Sequence, residues 1–396
     1  MTKKNRGAIM IDFTYAISTK ILFGKNKIER LGEELKQYGK NILFVYGGGS
    51  IKKTGLYDSI TNIFTRNSIV YHELPGVQPN PRITSVRQGI KLCREQNIES
   101  IIAVGGGSVI DCAKTIATGV YHKGDPWDLF LFGDSTIKKA LPLGTILTVA
   151  GTGSEMNGNA VISNEETEEK LAIHSDLLRP KFSILDPTYT FTVPKDQTAA
   201  GTVDIFSHIL EQYFSPTTDA FVQNRLAESL LKTCIYYGPI ALKEPTNYEA
   251  RAQLMWTSSL ALNGLLGYGR ITDWATHAIE HAVSAAYDVT HGTGLAILTP
   301  YWMEYVLSEE TTDKFVEYAQ NVWQANGKND LAIARKGIEK TREFFTSLGI
   351  QKTLRDVGVQ ENKLESIAEK TVLYGEIGKF KKLGKNDILA ILKNAF

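Results

Sequence analysis

At 396 residues, 43% hydrophobic and 22% charged, the chain is longer than one hydrophobic core usually serves, so two domains are expected. Lysine and arginine (44) balance aspartate and glutamate (43), and a net charge of +1 gives no electrostatic footprint for nucleic acid or an anionic membrane. No uncharged apolar run approaches the roughly 18 residues of a membrane span, and the amino terminus lacks a signal-peptide core. Three dispersed cysteines, Cys93, Cys112 and Cys234, suggest neither a disulfide framework nor a thiolate zinc site, so a cytoplasmic protein is expected.

In chain order, short β-branched runs alternate with helical patterns through the first half: "NILFVYGGGS", "SIVYHELPG" and "SIIAVGGGSVIDCAKTIATG". That alternation predicts a mostly parallel α/β sheet. After "SILDPTYTFTVP" long helical patterns take over to the end of the chain, which places an α/β domain at 1–194 and a helical domain at 195–396.

Two glycine clusters follow apolar strands. Gly105, Gly106, Gly107 and Ser108 lie between a strand and a helix, where glycine lets the backbone approach an anion and helix N–H groups supply partial positive charge. A tight turn is the plainer alternative, since the G-x-G-x-x-G fingerprint is absent. Gly47, Gly48, Gly49 and Ser50 repeat the arrangement with Lys52 and Lys53 close behind. A carboxylate there would suit the ribose hydroxyls of NAD, whereas an uncharged tip followed by lysines favours the 2′-phosphate of NADP(H). "TILTVAGTGSEMNGNAVI" adds the hydroxyls of Thr148, Thr152 and Ser154.

In "TVDIFSHILEQY", Asp204 and His208 are four residues apart and share a helix face. His277 and His281 repeat the spacing in "DWATHAIEHAVSAAYDVTHG", and His291 follows at a turn. An ion pair or scattered surface histidines would explain each pair alone. Four of the seven histidines in one helical segment, with an aspartate, instead suggest a divalent-metal pocket of three imidazoles and a carboxylate, suited to zinc or iron(II). Spacing alone allows either His277 or His281 to be a ligand.

The combination "VGGGSVIDCAK", "TVAGTGSEMN", "LDPTYTFTVP", "TVDIFSHILEQY" and "DWATHAIEHAVSAAYDVTHGTGLAILTP" resembles the iron-containing (group III) alcohol dehydrogenases, in particular the NADPH-dependent butanol dehydrogenase or aldehyde reductase branch. The resemblance implies a dehydroquinate synthase-like fold, with a Rossmann-like amino-terminal domain and a helical metal-binding domain. It implies Asp204, His208, His277 and His291 as metal ligands, with His281 a catalytic residue near the nicotinamide. The pyrophosphate loop falls on Gly106, Gly107 and Ser108 with Asp111 beside it. Adenine and ribose contacts fall on Thr148, Thr152, Asn157 and Lys170, and Gly48, Gly49 and Ser50 match members that use NADP(H). The implied activity is hydride exchange between NADP(H) and a small primary alcohol or aldehyde such as butanol or butanal, in a homodimer or larger homo-oligomer. The alternatives are a metal-dependent lyase of the dehydroquinate synthase or glycerol dehydrogenase-like type, and a nucleotide-sensing protein without activity.

Overall fold

Eight strands carry the first half of the chain: β1 Lys20–Phe23, β2 Asn41–Tyr46, β3 Val70–Leu74, β4 Ser100–Gly105, β5 Leu143–Leu147, β6 Asn159–Asn164, β7 Glu169–His174 and β8 Phe182–Leu185. The structure, a computed structural model, describes residues 10–396. Six strands form one parallel sheet in the order β1-β8-β5-β4-β2-β3, and β6 pairs antiparallel with β7 in a hairpin. Successive residues of β2 serve opposite faces: Leu43 and Val45 join one apolar cluster, Ile42, Phe44 and Tyr46 the other. Burial on both faces is why β2 and β4 read as continuous apolar runs.

The chain runs outward from β2 to β3 but from β4 to β5 in the opposite direction, so strand order reverses between β2 and β4. Tyr46 of β2 is in register with Val104 of β4, which sets the two glycine loops side by side at the carboxyl ends of neighbouring strands. In open α/β sheets this reversal point is where ligands bind.

Residues 16–193 and 246–259 form one compact unit; 10–15, 194–245 and 260–396 form the other. This differs from a single division at 194/195. The segment 246–259 joins the sheet unit because the Gly151 N–H donates to Ser258 Oγ at 3.0 Å and the Ser259 hydroxyl donates to the Glu155 carboxylate. The segment 10–15 joins the helical unit through the Ile11 N–H on the Gly269 carbonyl (2.9 Å) and the rings of Phe13 and Tyr15 against Tyr268.

In the helical unit, Lys195–Tyr213 is buried on all sides from Val203 to Tyr213, as befits the centre of a bundle. It packs against His291–Val306, which in turn packs against Ala275–Tyr287. Among the described residues, no helix is long and apolar enough to cross a membrane.

Candidate functional site

Asp204 and His208 project from the central helix, His277 from the first turn of Ala275–Tyr287, and His291 opens the next helix. Asp204 Oδ1 lies 3.5 Å from His208 Nδ1, 3.9 Å from His277 Nε2 and 3.6 Å from His291 Nε2. Ligand atoms of Asp204, His277 and His291 all fall within 4.8 Å of one another. Two bonds of about 2.1 Å to one ion set ligand atoms roughly 3–4 Å apart, so the separations suit a shared cation. His208 stands just outside that trio, its ring stacked on His277 with centroids 4.7 Å apart.

Asp204 Oδ1, His208 Nδ1 and His277 Nε2 are buried without a hydrogen-bond partner. An orphaned buried polar atom costs about 1–3 kcal/mol, and three such atoms converging on one point fit a divalent ion. Burial holds the His208 imidazole down at about 4, against the pull of the Asp204 carboxylate, leaving it neutral as a ligand must be. At His277 burial also disfavours the charge, but the Glu211 carboxylate outweighs it and raises the pKa.

Two carboxylates missed by sequence reasoning set the ring orientations. His277 Nδ1 donates to Glu211, which also accepts the backbone N–H of Thr276 (2.6 Å) and of His277 (3.2 Å). His291 Nδ1 donates to Glu280. With Nδ1 committed, each ring presents the lone pair of Nε2 toward Asp204, the carboxylate–histidine arrangement typical of metal sites. A signal was present: each glutamate follows a ligand histidine by three residues on the same helix, Glu211 after His208 and Glu280 after His277.

His281 is half-buried, with its ring 5.5 Å from His291 and 6.2 Å from His277. Trp274, just before His277, has its indole edge-on to His277 (5.3 Å) and His208 (6.1 Å). Its backbone lies in the left-handed region, φ 65° and ψ 17°, a strain on the order of 1–3 kcal/mol for a bulky side chain.

In the sheet unit, Gly106 ends the turn after β4 and Gly107 begins a helix whose first N–H groups have no partner within it. A Cβ on Gly107 would come within 2.3 Å of the Thr152 side chain, so only glycine fits this loop. Thr148 holds its N–H on the Gly105 carbonyl at 3.0 Å. Asp111 accepts from the Ser154 hydroxyl (2.5 Å) and the Val161 N–H (3.0 Å). Lys114, absent from the sequence-based site, is wholly buried and donates to Ser154 Oγ (2.8 Å), Asn157 Oδ1 (3.0 Å) and the Asn159 carbonyl (2.8 Å). Burial pushes its ammonium down to about 7, with Asp111 and Glu155 opposing. Asn157 also donates to the Gly153 carbonyl (2.9 Å), and Lys170 Nζ donates to Asn80 Oδ1 (3.0 Å).

At the other loop, Gly49 adopts φ 104° and caps the short helix beginning at Ser50, while a Cβ on Gly48 or Gly49 would meet nothing within 4 Å. Glu73, the nearby acid on β3, is occupied by the hydroxyls of Tyr46 and Tyr57, and the Lys52 ammonium lies over both rings.

A sheet with glycine loops at its switch point and a histidine-carboxylate centre that suits a cation define a metal-dependent, nucleotide-binding class of protein, and the comparisons give the family. The profile for "Iron-containing alcohol dehydrogenase" matches residues 18–187, and that for "Fe-containing alcohol dehydrogenase family, C-terminal" matches residues 198–396. The chain is 56% identical to NADH-dependent butanol dehydrogenase B of Clostridium acetobutylicum, over 98% of this chain and all of the relative. It is 40% identical to the NADPH-dependent aldehyde reductase YqhD of Escherichia coli, over 92% of this chain and 94% of that protein. The crystal structure of NADH-dependent butanol dehydrogenase A from Thermotoga maritima superposes with a TM-score of 0.94 at 40% identity, covering 98% of this chain and 99% of that one. The chain belongs to the iron-containing alcohol dehydrogenase family. It is an oxidoreductase acting on alcohols, and membership of the family implies a divalent metal and a nicotinamide cofactor.

Proposed function

We propose that this protein interconverts small aldehydes such as butanal and their primary alcohols with NADP(H), at a divalent metal, iron(II) or zinc, held by Asp204, His208, His277 and His291. The observation that carries the reading is the convergence of three buried atoms without a hydrogen-bond partner, Asp204 Oδ1, His208 Nδ1 and His277 Nε2. When bound, the metal supplies Lewis-acid polarisation of the substrate oxygen and the nicotinamide supplies or accepts the hydride. Glu211 and Glu280 hold the His277 and His291 rings in the ligating tautomer. His281 holds the proton that the substrate oxygen gains on reduction.

Gly106, Gly107 and Ser108 receive the pyrophosphate through backbone N–H groups; Asp111, Asn157 and Lys114 shape the loop beside it, next to Thr148, Thr152 and Lys170. NADP(H) is favoured because Gly48, Gly49 and Ser50 present no carboxylate and Glu73 is already occupied by two tyrosines. The names of relatives at 54% and 56% identity, both NADH-dependent butanol dehydrogenases, favour NADH as the second reading. A lyase acting on a phosphorylated acid would need free basic groups near the metal. Arg270, the cation nearest in sequence, is spent on the Gln212 and Ala220 carbonyls and on Asn224. The proposal includes a cytoplasmic homodimer or larger homo-oligomer, and three buried free thiols accord with a reducing compartment.

The test is absorbance loss from NADPH and from NADH with butanal and a panel of alkyl aldehydes. The proposal expects turnover with a higher kcat/KM for NADPH. Turnover with neither cofactor would remove the reading, and a preference for NADH would replace its cofactor.

A further inference from the structure

Among the described residues, eight non-glycine positions have positive φ, and seven of them are asparagine, serine, glutamate, aspartate or glutamine. The eighth is Trp274. A tryptophan gains nothing from that backbone, which glycine or asparagine adopts with less strain. The surroundings force the conformation. Asp273 accepts the N–H groups of Lys379 (2.6 Å) and Phe380 (2.7 Å) and donates its own to the Glu211 carbonyl (2.9 Å), while the indole N–H donates to Thr272 Oγ1 at 2.7 Å. The neighbouring residue is thus clamped on three sides, and the indole is aimed by its own hydrogen bond.

The indole stands edge-on to His277 and His208, both buried, and is itself only half-buried. Of the three rings it is the most exposed. We infer that Trp274 is a specificity-determining residue: its indole is an apolar wall beside the substrate's reacting carbon, admitting unbranched alkyl chains and excluding chains thickened next to the carbonyl. The inference rests on the metal reading above. A flat ring whose N–H is held on Thr272 Oγ1 swings aside less freely than an unbonded side chain would. Branching at the α carbon meets that wall, whereas extra length further along the chain does not. The same apolar surface offers no partner to hydroxyl groups, which disfavours polyhydroxylated substrates.

Two measurements test this separately from the function. The first compares kcat/KM for 2,2-dimethylpropanal with that for butanal in the metal-loaded protein and in Trp274→Gly and Trp274→Phe. Trp274→Gly, which suits the left-handed backbone, is expected to raise the branched-to-linear ratio roughly tenfold or more, and Trp274→Phe to leave it nearer the parent value. An unchanged ratio in Trp274→Gly with full metal content overturns the inference.

The second needs no turnover. Cobalt(II) added to metal-stripped protein is expected to quench part of the tryptophan emission, and Trp274→Phe to abolish that part while still binding cobalt. Quenching equal in Trp274→Phe and the parent would place the indole away from the site and overturn the inference. Absence of cobalt binding in the parent would remove the metal reading and this inference with it, whereas bound cobalt with an unchanged substrate ratio removes only the wall.

Discussion

Glu211 leaves one helix of the histidine centre to accept the Nδ1–H of His277 on another, and Glu280 repeats the relationship with His291. Each histidine that presents Nε2 to Asp204 is thereby held by a carboxylate from a different helix. Removing a carboxylate that fixes a ligand ring typically costs about 10–100-fold in metal affinity. Glu211→Gln, which keeps size and one hydrogen-bond acceptor, should weaken metal binding by roughly that factor, read as the chelator concentration that strips half the metal. Unaltered metal retention would show that Glu211 serves packing alone.

The two neighbouring histidines of one helix should behave differently. His277→Ala should lose both metal and activity, since it opens the set around Asp204. His281→Ala should keep the metal and lose about 10²–10⁴ in kcat if it carries the proton. Metal content by elemental analysis together with kcat separates them, and the reverse pattern would exchange their roles.

Cofactor preference should turn on position 48. A Cβ there meets nothing within 4 Å, so Gly48→Asp adds a carboxylate at little structural cost. Two hydrogen bonds to a 2′-phosphate are worth about 3–6 kcal/mol, or on the order of 10²–10⁴ in selectivity. The parent should prefer NADPH and Gly48→Asp should prefer NADH, measured as kcat/KM ratios. Equal ratios in the parent would count against the assignment of this loop.

Lys114 makes stability depend on pH in an unusual direction. Its ammonium is pushed from 10.5 down to about 7 in the folded chain, so between those values the unfolded chain binds more protons and stability rises with pH. The cost is fully present below about 7 and fades toward 10.5. Against the parent, Lys114→Met should remove a slope of up to about 1.4 kcal/mol per pH unit, followed by denaturant midpoints between pH 7 and 9. Parallel curves for the two proteins would show that Lys114 stays charged.

The middle of the sheet was legible because β2 and β4 are buried on both faces, and runs such as "IIAVG" have few other uses. The helical half was legible from periodicity. The hairpin of β6 and β7 was not, since "NAVISN" and "EKLAIH" are short and half-polar. Nor was the return of residues 246–259 to the sheet unit, which rests on Ser258 and Ser259 hydroxyls reaching the loop at 151–155. At the histidine centre, spacing singled out Asp204 with His208 and His277 with His281, because side chains four apart on a helix share a face, and His291 stood out by its closeness in the chain to the second pair. It did not find Glu211 and Glu280, whose partners lie on other helices, nor Trp274, whose importance is a backbone angle.

The central claim is that Asp204, His208, His277 and His291 hold a metal ion. Elemental analysis of protein purified without added metal, beside Asp204→Ala, tests it most directly. About one equivalent of iron, zinc or a similar divalent ion per active parent chain is expected, with a large loss of metal and activity together in Asp204→Ala. Active parent protein with no stoichiometric metal, or an Asp204→Ala variant with the parent's metal content, would contradict it.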